Sequence, residues 1–185
     1  MAKEKRPTEF VLGPKTRASY VHLMEKVSMN DGKPHYSCCF LIPKDDTKSV
    51  EAVKKAIRAA YDEGQDKLGK TVPPFESLKS PLHDGDSEHP DRPEFRGCYF
   101  LNAKNYNRQP TVVDSKLNPI EDPMEIYSGM YCKAFCGAYV FAKQFNKGIA
   151  ITLEHVMKVA DGDRLGGAYT SVADAFGDED EDFLS

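Results

Sequence analysis

The longest alternation in this chain of 185 residues runs from Gly129 to Phe145, GMYCKAFCGAYVFAKQF. With a period of two, Met130, Cys132, Ala134, Cys136, Ala138, Val140 and Ala142 share one face. Tyr131, Lys133, Phe135, Gly137, Tyr139, Phe141, Lys143 and Phe145 share the other. Successive strand side chains point to opposite sides, so the pattern predicts a strand that buries the small apolar row and presents rings and lysines. Other stretches repeat this period. Arg17 to Met24 (RASYVHLM) and His35 to Ile42 (HYSCCFLI) predict a hairpin around Asn30-Asp31-Gly32-Lys33. Phe95 to Lys104 (FRGCYFLNAK) predicts a third strand and Thr111-Val112-Val113 a short one. Ile149 to Val159 (IAITLEHVMKV) predicts a last strand, entered by a turn at Asn146-Lys147-Gly148. On it His155 joins Ile149, Ile151, Leu153 and Met157 on an apolar face and reads as a core histidine.

Between the second and third strands the period changes to that of a helix. Val50, Val53, Ile57, Ala60, Tyr61 and Leu68 fall on one stripe, with Lys54, Lys55, Arg58, Asp62 and Glu63 opposite. Asp46 or Thr47 is placed to cap the first amides, and Gly69 is a plausible stop. This helix, Thr47 to Leu68, is expected to cover a sheet with its stripe. Residues 72–94 hold five prolines and several acids and predict a long surface loop. Within it His83, Asp84, Asp86, Glu88, His89 and Asp91 resemble a cation site, but no fixed spacing template is met. A solvated acidic loop is the plainer reading.

Five main strands and one prominent helix predict a mainly β fold. The expected architecture is an antiparallel five-stranded barrel of the oligonucleotide-binding (OB) type with a disordered acidic C-terminal tail. The helix follows the second strand, whereas the usual OB helix lies between the third and fourth, so either a strand is missing from the count or the helix is an insertion. The expected organisation is a flexible arm (1–15), an OB-like domain (16–167) and a tail (168–185).

Charge changes what this fold could bind. The net charge of −4 argues against an anionic partner, but its location reverses the argument. Asp174, Asp178, Glu179, Asp180, Glu181 and Asp182 lie in the last dozen residues without a Lys or Arg. Without those six, 25 basic residues face 23 acidic ones (29 less six), leaving a body of +2 that is free to carry a basic groove. The five cysteines (Cys38, Cys39, Cys98, Cys132, Cys136) contain no CxxC pair and read as free thiols of a reducing compartment. The start MAKEKRP lacks the apolar segment of a secretory signal, and no run is long enough to span a membrane, which together predict a cytoplasmic protein.

Aromatic strand faces commonly pack against another sheet or a helix, so the row of rings alone leaves two readings open. Interleaved lysines favour single-stranded nucleic acid, whose bases stack on rings while phosphates meet ammonium groups. On this reading Tyr131, Phe135, Tyr139, Phe141, Tyr99 and Tyr106 offer stacking surfaces. Lys133, Lys143, Lys147, Lys104, Arg108 and Arg17 pair with phosphates. No phosphate-cradling glycine loop, nucleophile elbow or zinc spacing is present, and no cofactor is expected. The alternatives are a metal-dependent nuclease built on the His83–Asp91 loop and a strand-annealing recombination protein.

The segment LEHVMKVADGDRLGG, followed by AYTSVADAFGDEDEDFLS, resembles a family of phage-encoded single-stranded DNA-binding proteins. The resemblance implies an OB fold and sequence-independent binding of single-stranded DNA in phage replication or recombination, in the cytoplasm of a bacterial host. It also implies a flexible tail, whose acids and Phe183 match tails that recruit replication or recombination proteins. A run of carboxylates is itself a crude DNA mimic, so Asp178, Glu179, Asp180, Glu181, Asp182 and Phe183 are expected to compete with DNA and engage a partner, against the plainer reading of a solubility tail. Here Leu184 and Ser185 follow Phe183, a departure from tails that end on the apolar residue.

Overall fold

The computed structural model describes residues 4–28, 32–143 and 146–165. In chain order they form β1 (Glu9–Val27), β2 (His35–Pro43), α1 (Thr47–Glu63), β3 (His83–Asp84), the single turn α2 (Gly85–Glu88), β4 (Cys98–Asn105), β5 (Thr111–Val113), β6 (Tyr131–Lys143) and β7 (Asn146–Ala160). β1 pairs antiparallel with β2 and with β6, β2 with β4, and β6 with β7. A parallel contact between β4 and β7, at Ala103–Ile151 and Lys104–Thr152, closes these five strands into a barrel. This is the expected OB-type architecture. No barrel strand is missing from the count, because α1 sits between the second and third barrel strands.

The apolar row of β6 is the clearest link from sequence to core. Met130, Cys132, Ala134, Cys136, Ala138 and Val140 are all buried, and only Ala142, beyond the barrel, is exposed. They meet Phe10, Leu12, Phe40, Ile42, Leu101, Ile151 and Leu153 in one cluster. Each large apolar side chain so buried contributes about 1.5–3 kcal/mol. Burial pushes the Cys132 thiol up to about 12, and Cys38 and Cys136 are also raised, chiefly by burial, so these thiols stay protonated. The α1 stripe joins the same cluster, with Val50, Val53, Ile57, Ala60, Tyr61 and Leu68 all buried. The Asp46 side chain accepts from the Ser49 amide and starts the helix. The helix ends at Gly64 rather than Gly69, and a 3-10 turn carries the chain to Leu68. Gly64 is where α1 touches β6: a Cβ there would lie 2.6 Å from Val140 Cγ2.

Besides the helix end, four expectations need correction. β1 begins at Glu9, so residues 9–15, expected in the arm, are strand; Phe10 and Leu12 are buried opposite Cys136 and Ala134. Pro14 is tolerated because the ladder shifts register between Leu12 and Thr16. The expected turn Asn146-Lys147-Gly148 lies inside β7, paired with Lys143, Ala142 and Phe141. His155 is exposed rather than in the core. A bulge places Leu153 opposite Cys136 and His155 opposite Phe135, and this flips the face from which β7 continues inward through Val156.

The fourth correction concerns residues 72–94, which carry regular structure. β3 pairs with β4 at His83–Phe100 and Asp84–Tyr99, and the Asp84 side chain caps α2 through the Asp86 amide. Gly85 is pressed onto the following segment so closely that a Cβ would lie 2.4 Å from the Phe95 carbonyl oxygen. This strap folds over the outside of β2 and β4 and seals a second small core of Cys39, Leu41, Phe95 and Phe100. His83 stacks on Phe100 with ring centres 4.9 Å apart, and His89 lies 4.4 Å from Phe95.

Candidate nucleic-acid interface

Strand register fixes which outward side chains share a level of the barrel. One level runs Gly137 (β6), Thr152 (β7), Lys104 (β4), Ser37 (β2) and His22 (β1), each directly opposite the next. Two residues further along β6, Tyr139 stands opposite Ala150, and on β4 Asn102 stands opposite Cys39. This band crosses the second and third barrel strands, where OB folds usually hold oligonucleotides. Tyr139 is 38% exposed, the most open ring of its strand. Partial burial, and then the nearby Tyr106 phenol, push its hydroxyl above the ordinary tyrosine range. The Lys104 side chain has no hydrogen-bond or ion-pair partner among the described residues. A cleft of about 340 Å³ adjoins the band, lined by Gly137, Tyr139, Thr152 and Glu154 with Arg6 and Lys67.

The other expected contacts divide by position. Tyr106 lies where β4 leaves the barrel, beside the β1–β2 connection. The Lys33 ammonium stands 5.8 Å from its ring centre, His35 is 5.2 Å away ring to ring, and Lys26 donates to its carbonyl at 3.1 Å. Lys143 is exposed at the end of β6, and Lys147 across the ladder donates to the Leu68 carbonyl at 2.6 Å. The Phe141 ring is half-buried against Gly148, and Phe135 is half-buried against His155 with ring centres 5.8 Å apart. Lys133 is exposed and opens onto a second groove of about 670 Å³ between residues 5–14 and α1, shared with Lys48 and Lys55. Arg108 is paired to Glu154.

Three residues stand apart from the band. Tyr99 faces the barrel end, with Lys44 5.2 Å and Lys54 5.8 Å from its ring centre. Tyr131 lies under the Arg17 guanidinium at 5.2 Å. Arg17 in turn donates to the Gly129 carbonyl at 3.2 Å and the Asp163 carbonyl at 2.6 Å. About eight residues of strand, roughly 27 Å, separate Tyr131 from Tyr139. Phe145 and the tail residues Asp178 to Phe183 lie outside the described residues.

The acids of the strap are engaged elsewhere. Asp84 and Asp86 both contact the Lys44 ammonium, at 2.8 and 2.7 Å, and hydrogen bonding to it holds both carboxyls below the ordinary aspartate range. Among the described residues no group of three or more His, Cys, Asp or Glu is placed to hold a metal ion. No helix among them is long and apolar enough to cross a membrane.

Sequence reasoning missed Thr152, Asn102, Ser37, Lys33 and Lys26 as neighbours of these groups. Ser37, Asn102 and Thr152 lie on strands whose faces were legible, but which residues stand opposite one another depends on register across β2, β4 and β7. No local pattern records that.

Comparison with known proteins places the chain among relatives. A curated relative, putative protein p50 of Acyrthosiphon pisum secondary endosymbiont phage 1, is 29% identical in an alignment 182 positions long that covers 91% of this chain and 95% of that one. The single-stranded DNA-binding protein from bacteriophage Enc34 in complex with ssDNA has a similar structure, with a TM-score of 0.70. It is 26% identical, over 89% of this chain and 97% of that one. The C-terminal truncation of the same phage protein shows the same fold, with a TM-score of 0.72 at 24% identity, over 89% of this chain and 96% of that one. The family described as Enterobacter phage Enc34, ssDNA-binding protein, matches residues 8–184. The chain belongs to this family of phage single-stranded DNA-binding proteins.

Proposed function

We propose that this phage single-stranded DNA-binding protein coats its ligand without sequence preference and without catalysis, along the band from Tyr139 across Thr152 to Lys104. The observation that carries the reading is an exposed tyrosine on β6 and, across β7 and one level along, a lysine on β4 whose side chain has no partner among the described residues. Bases stack on Tyr139 and Tyr106, and phosphates meet Lys104, Lys143 and, at the far end of β6, Lys133. Every base has a π-face, so stacking gives affinity without a sequence code. Phe135, Phe141, Lys147 and Arg108 border this surface with their own intramolecular contacts. Tyr131, Arg17 and Tyr99 serve the fold.

The tail reading belongs here too. Residues 168–185 would form an appendage on the barrel, with Asp178, Glu179, Asp180, Glu181, Asp182 and Phe183 recruiting replication or recombination proteins in the cytoplasm of a bacterial host. A run of carboxylates also mimics a polynucleotide and would compete for the basic band. Fluorescence titration of labelled oligo-dT at two salt concentrations tests the first part. Binding should weaken steeply with salt, and Lys104→Glu with Tyr139→Ala should remove most of it. Truncation after Phe176 tests the second: the shortened chain should bind more tightly, and weaker binding would count against competition.

A further inference from the structure

The Tyr20 backbone stands out. Among the described residues only Tyr20 and Leu117 are non-glycine residues with positive φ, and Tyr20 has φ 47°. A bulky aromatic in that region is disfavoured and persists where its surroundings enforce it, often at sites that bind. The cause is a bulge in β1. Ser19 pairs with Cys39 and His22 with Ser37, so Tyr20 and Val21 together stand opposite Cys38. Val21 packs inward, and Tyr20 is turned out with 48% of its surface exposed, while its neighbours Ala18 and Ser19 are buried.

What lies on the ring is also informative. The Arg92 guanidinium sits 5.3 Å from the Tyr20 ring centre and 5.3 Å from that of Phe95, and it donates to the Tyr20 hydroxyl. Arg92 comes from the strap and is steadied by Glu94 at 3.1 Å. The cation therefore holds the ring at its hydroxyl edge, and the exposed part of the ring stays open.

The position connects this pair to the band. Tyr20 falls between the level of Ser19 and Cys39 and the level of His22, Ser37 and Lys104. Going round the outside of the closed barrel from β1 through β2, β4 and β7 to Tyr139 on β6 takes four strand steps, about 19 Å of arc, with Lys104 midway. Two exposed tyrosines thus bracket one unpartnered lysine across the strands.

We infer that Tyr20, held at its hydroxyl by Arg92, is a second base-stacking station for single-stranded nucleic acid at the β1 end of this band. A base lies on the open side of the ring, and Arg92 offers its remaining N–H groups to the adjoining phosphate. The inference rests on the proposed binding face, and it makes that face span four strand steps instead of ending at Lys104. The competing account is mechanical: Arg92 and Tyr20 only fasten the strap to β1.

The full chain decides between them. Tyr20→Gly is the informative variant, because glycine adopts a positive φ freely and keeps the bulge while removing the ring. Tyr20→Gly and Tyr20→Ala should each weaken fluorescein-labelled oligo-dT by roughly five- to 150-fold, and Tyr20→Phe, which keeps the ring, should bind as the unaltered chain does. Ultraviolet crosslinking to oligo-dT carrying 5-iododeoxyuridine, read by peptide mass spectrometry, should mark Tyr20. If Tyr20→Gly binds as tightly as the unaltered chain, or crosslinks skip Tyr20, the station is mechanical and the inference fails while the binding face stands. If the unaltered chain does not bind oligo-dT, the face itself has failed.

Discussion

The two ends of β6 carry the same composition and have different fates. At one end Tyr131 meets Arg17, and at the other Tyr139 shares the barrel's outer face with Lys104 across β7. Arg17 directs its planar fork at two main-chain carbonyls, Gly129 and Asp163, with its guanidinium carbon 5.2 Å from the Tyr131 ring centre. That ring is also packed against Gly162, where a Cβ would come within 3.0 Å of it. At the Tyr139 end the ring is open and Lys104 has no partner among the described residues. On the proposed reading, a ring beside a cation is a poor guide to a binding site taken alone. Unused hydrogen-bonding capacity is a better one, because a donor already held by a carbonyl gives up that bond when it turns to a phosphate.

The largest expected effect tests this difference directly. Tyr139→Ala should cost about 1–3 kcal/mol of oligo-dT affinity, roughly five- to 150-fold. Lys104→Ala should flatten the dependence of log K on log salt by about 0.7, the share of one phosphate contact on a single strand. Tyr131→Ala should change neither quantity. A titration series over salt concentration reads all three, and equal losses at Tyr131 and Tyr139 would erase the distinction between the ends.

Next in size is an effect on what supports the open end. Val140, next to Tyr139, lies against Gly64 at the end of α1, and a Cβ there would also lie 3.0 Å from the Ala60 carbonyl. Gly64→Val should destabilise the fold by about 1–3 kcal/mol, as overpacking does, which appears as a lower thermal midpoint. Gly64→Ala should do the same less severely. Because the strain enters under Tyr139, oligo-dT affinity should fall as well, and Tyr131 contacts should be untouched.

These contrasts mark how far a sequence can be read. The faces of β6 were legible because period-two alternation is a property of one strand. The α1 stripe was legible because Val50, Val53, Ile57, Ala60 and Tyr61 follow a helical repeat. What escaped depends on a second strand. His155 reads as core until the bulge opposite Phe135 and Cys136 is known, and the bulge is a relation between β6 and β7. Arg17 reads from the sequence as a free cation, whereas it donates to the Asp163 carbonyl, 146 positions away along the chain. The strap reads as irregular because its regularity comes from a two-residue pairing with β4 and a glycine pressed onto the Phe95 carbonyl.

A smaller effect sharpens the other end. Arg17→Ala removes two hydrogen bonds from a charged donor and leaves the Gly129 and Asp163 carbonyls to water. About 1 kcal/mol of stability should be lost, well under the loss for a buried donor, because the site is open to solvent. Oligo-dT affinity should not change. A urea melt and a titration on the same sample would show the two readouts moving apart, whereas a drop in affinity matching that of Tyr139→Ala would return Arg17 to the binding face.

The smallest effect concerns pH and the strap, away from both ends of β6. Hydrogen bonding to Lys44 lowers the Asp84 and Asp86 carboxyls, and the same contacts raise the Lys44 ammonium above the ordinary lysine range. For carboxyls with depressed values, the stabilisation is present above the unfolded aspartate value, about 3.9. It fades as pH falls through the lower folded values. The raised ammonium contributes below its unfolded value and loses that contribution only as pH rises past the folded one. Across neutral pH the trio should therefore hold the strap steadily, and its loss should begin below about pH 4. All three groups are open to solvent, so the change in the urea midpoint should be slight. Lys44→Met should make that acid-side decline shallower and leave oligo-dT affinity at neutral pH intact. If it weakened binding as Lys104→Ala does, Lys44 would have to be counted with the unpartnered lysines, and the rule drawn from β6 would fail at a cation that holds two carboxylates.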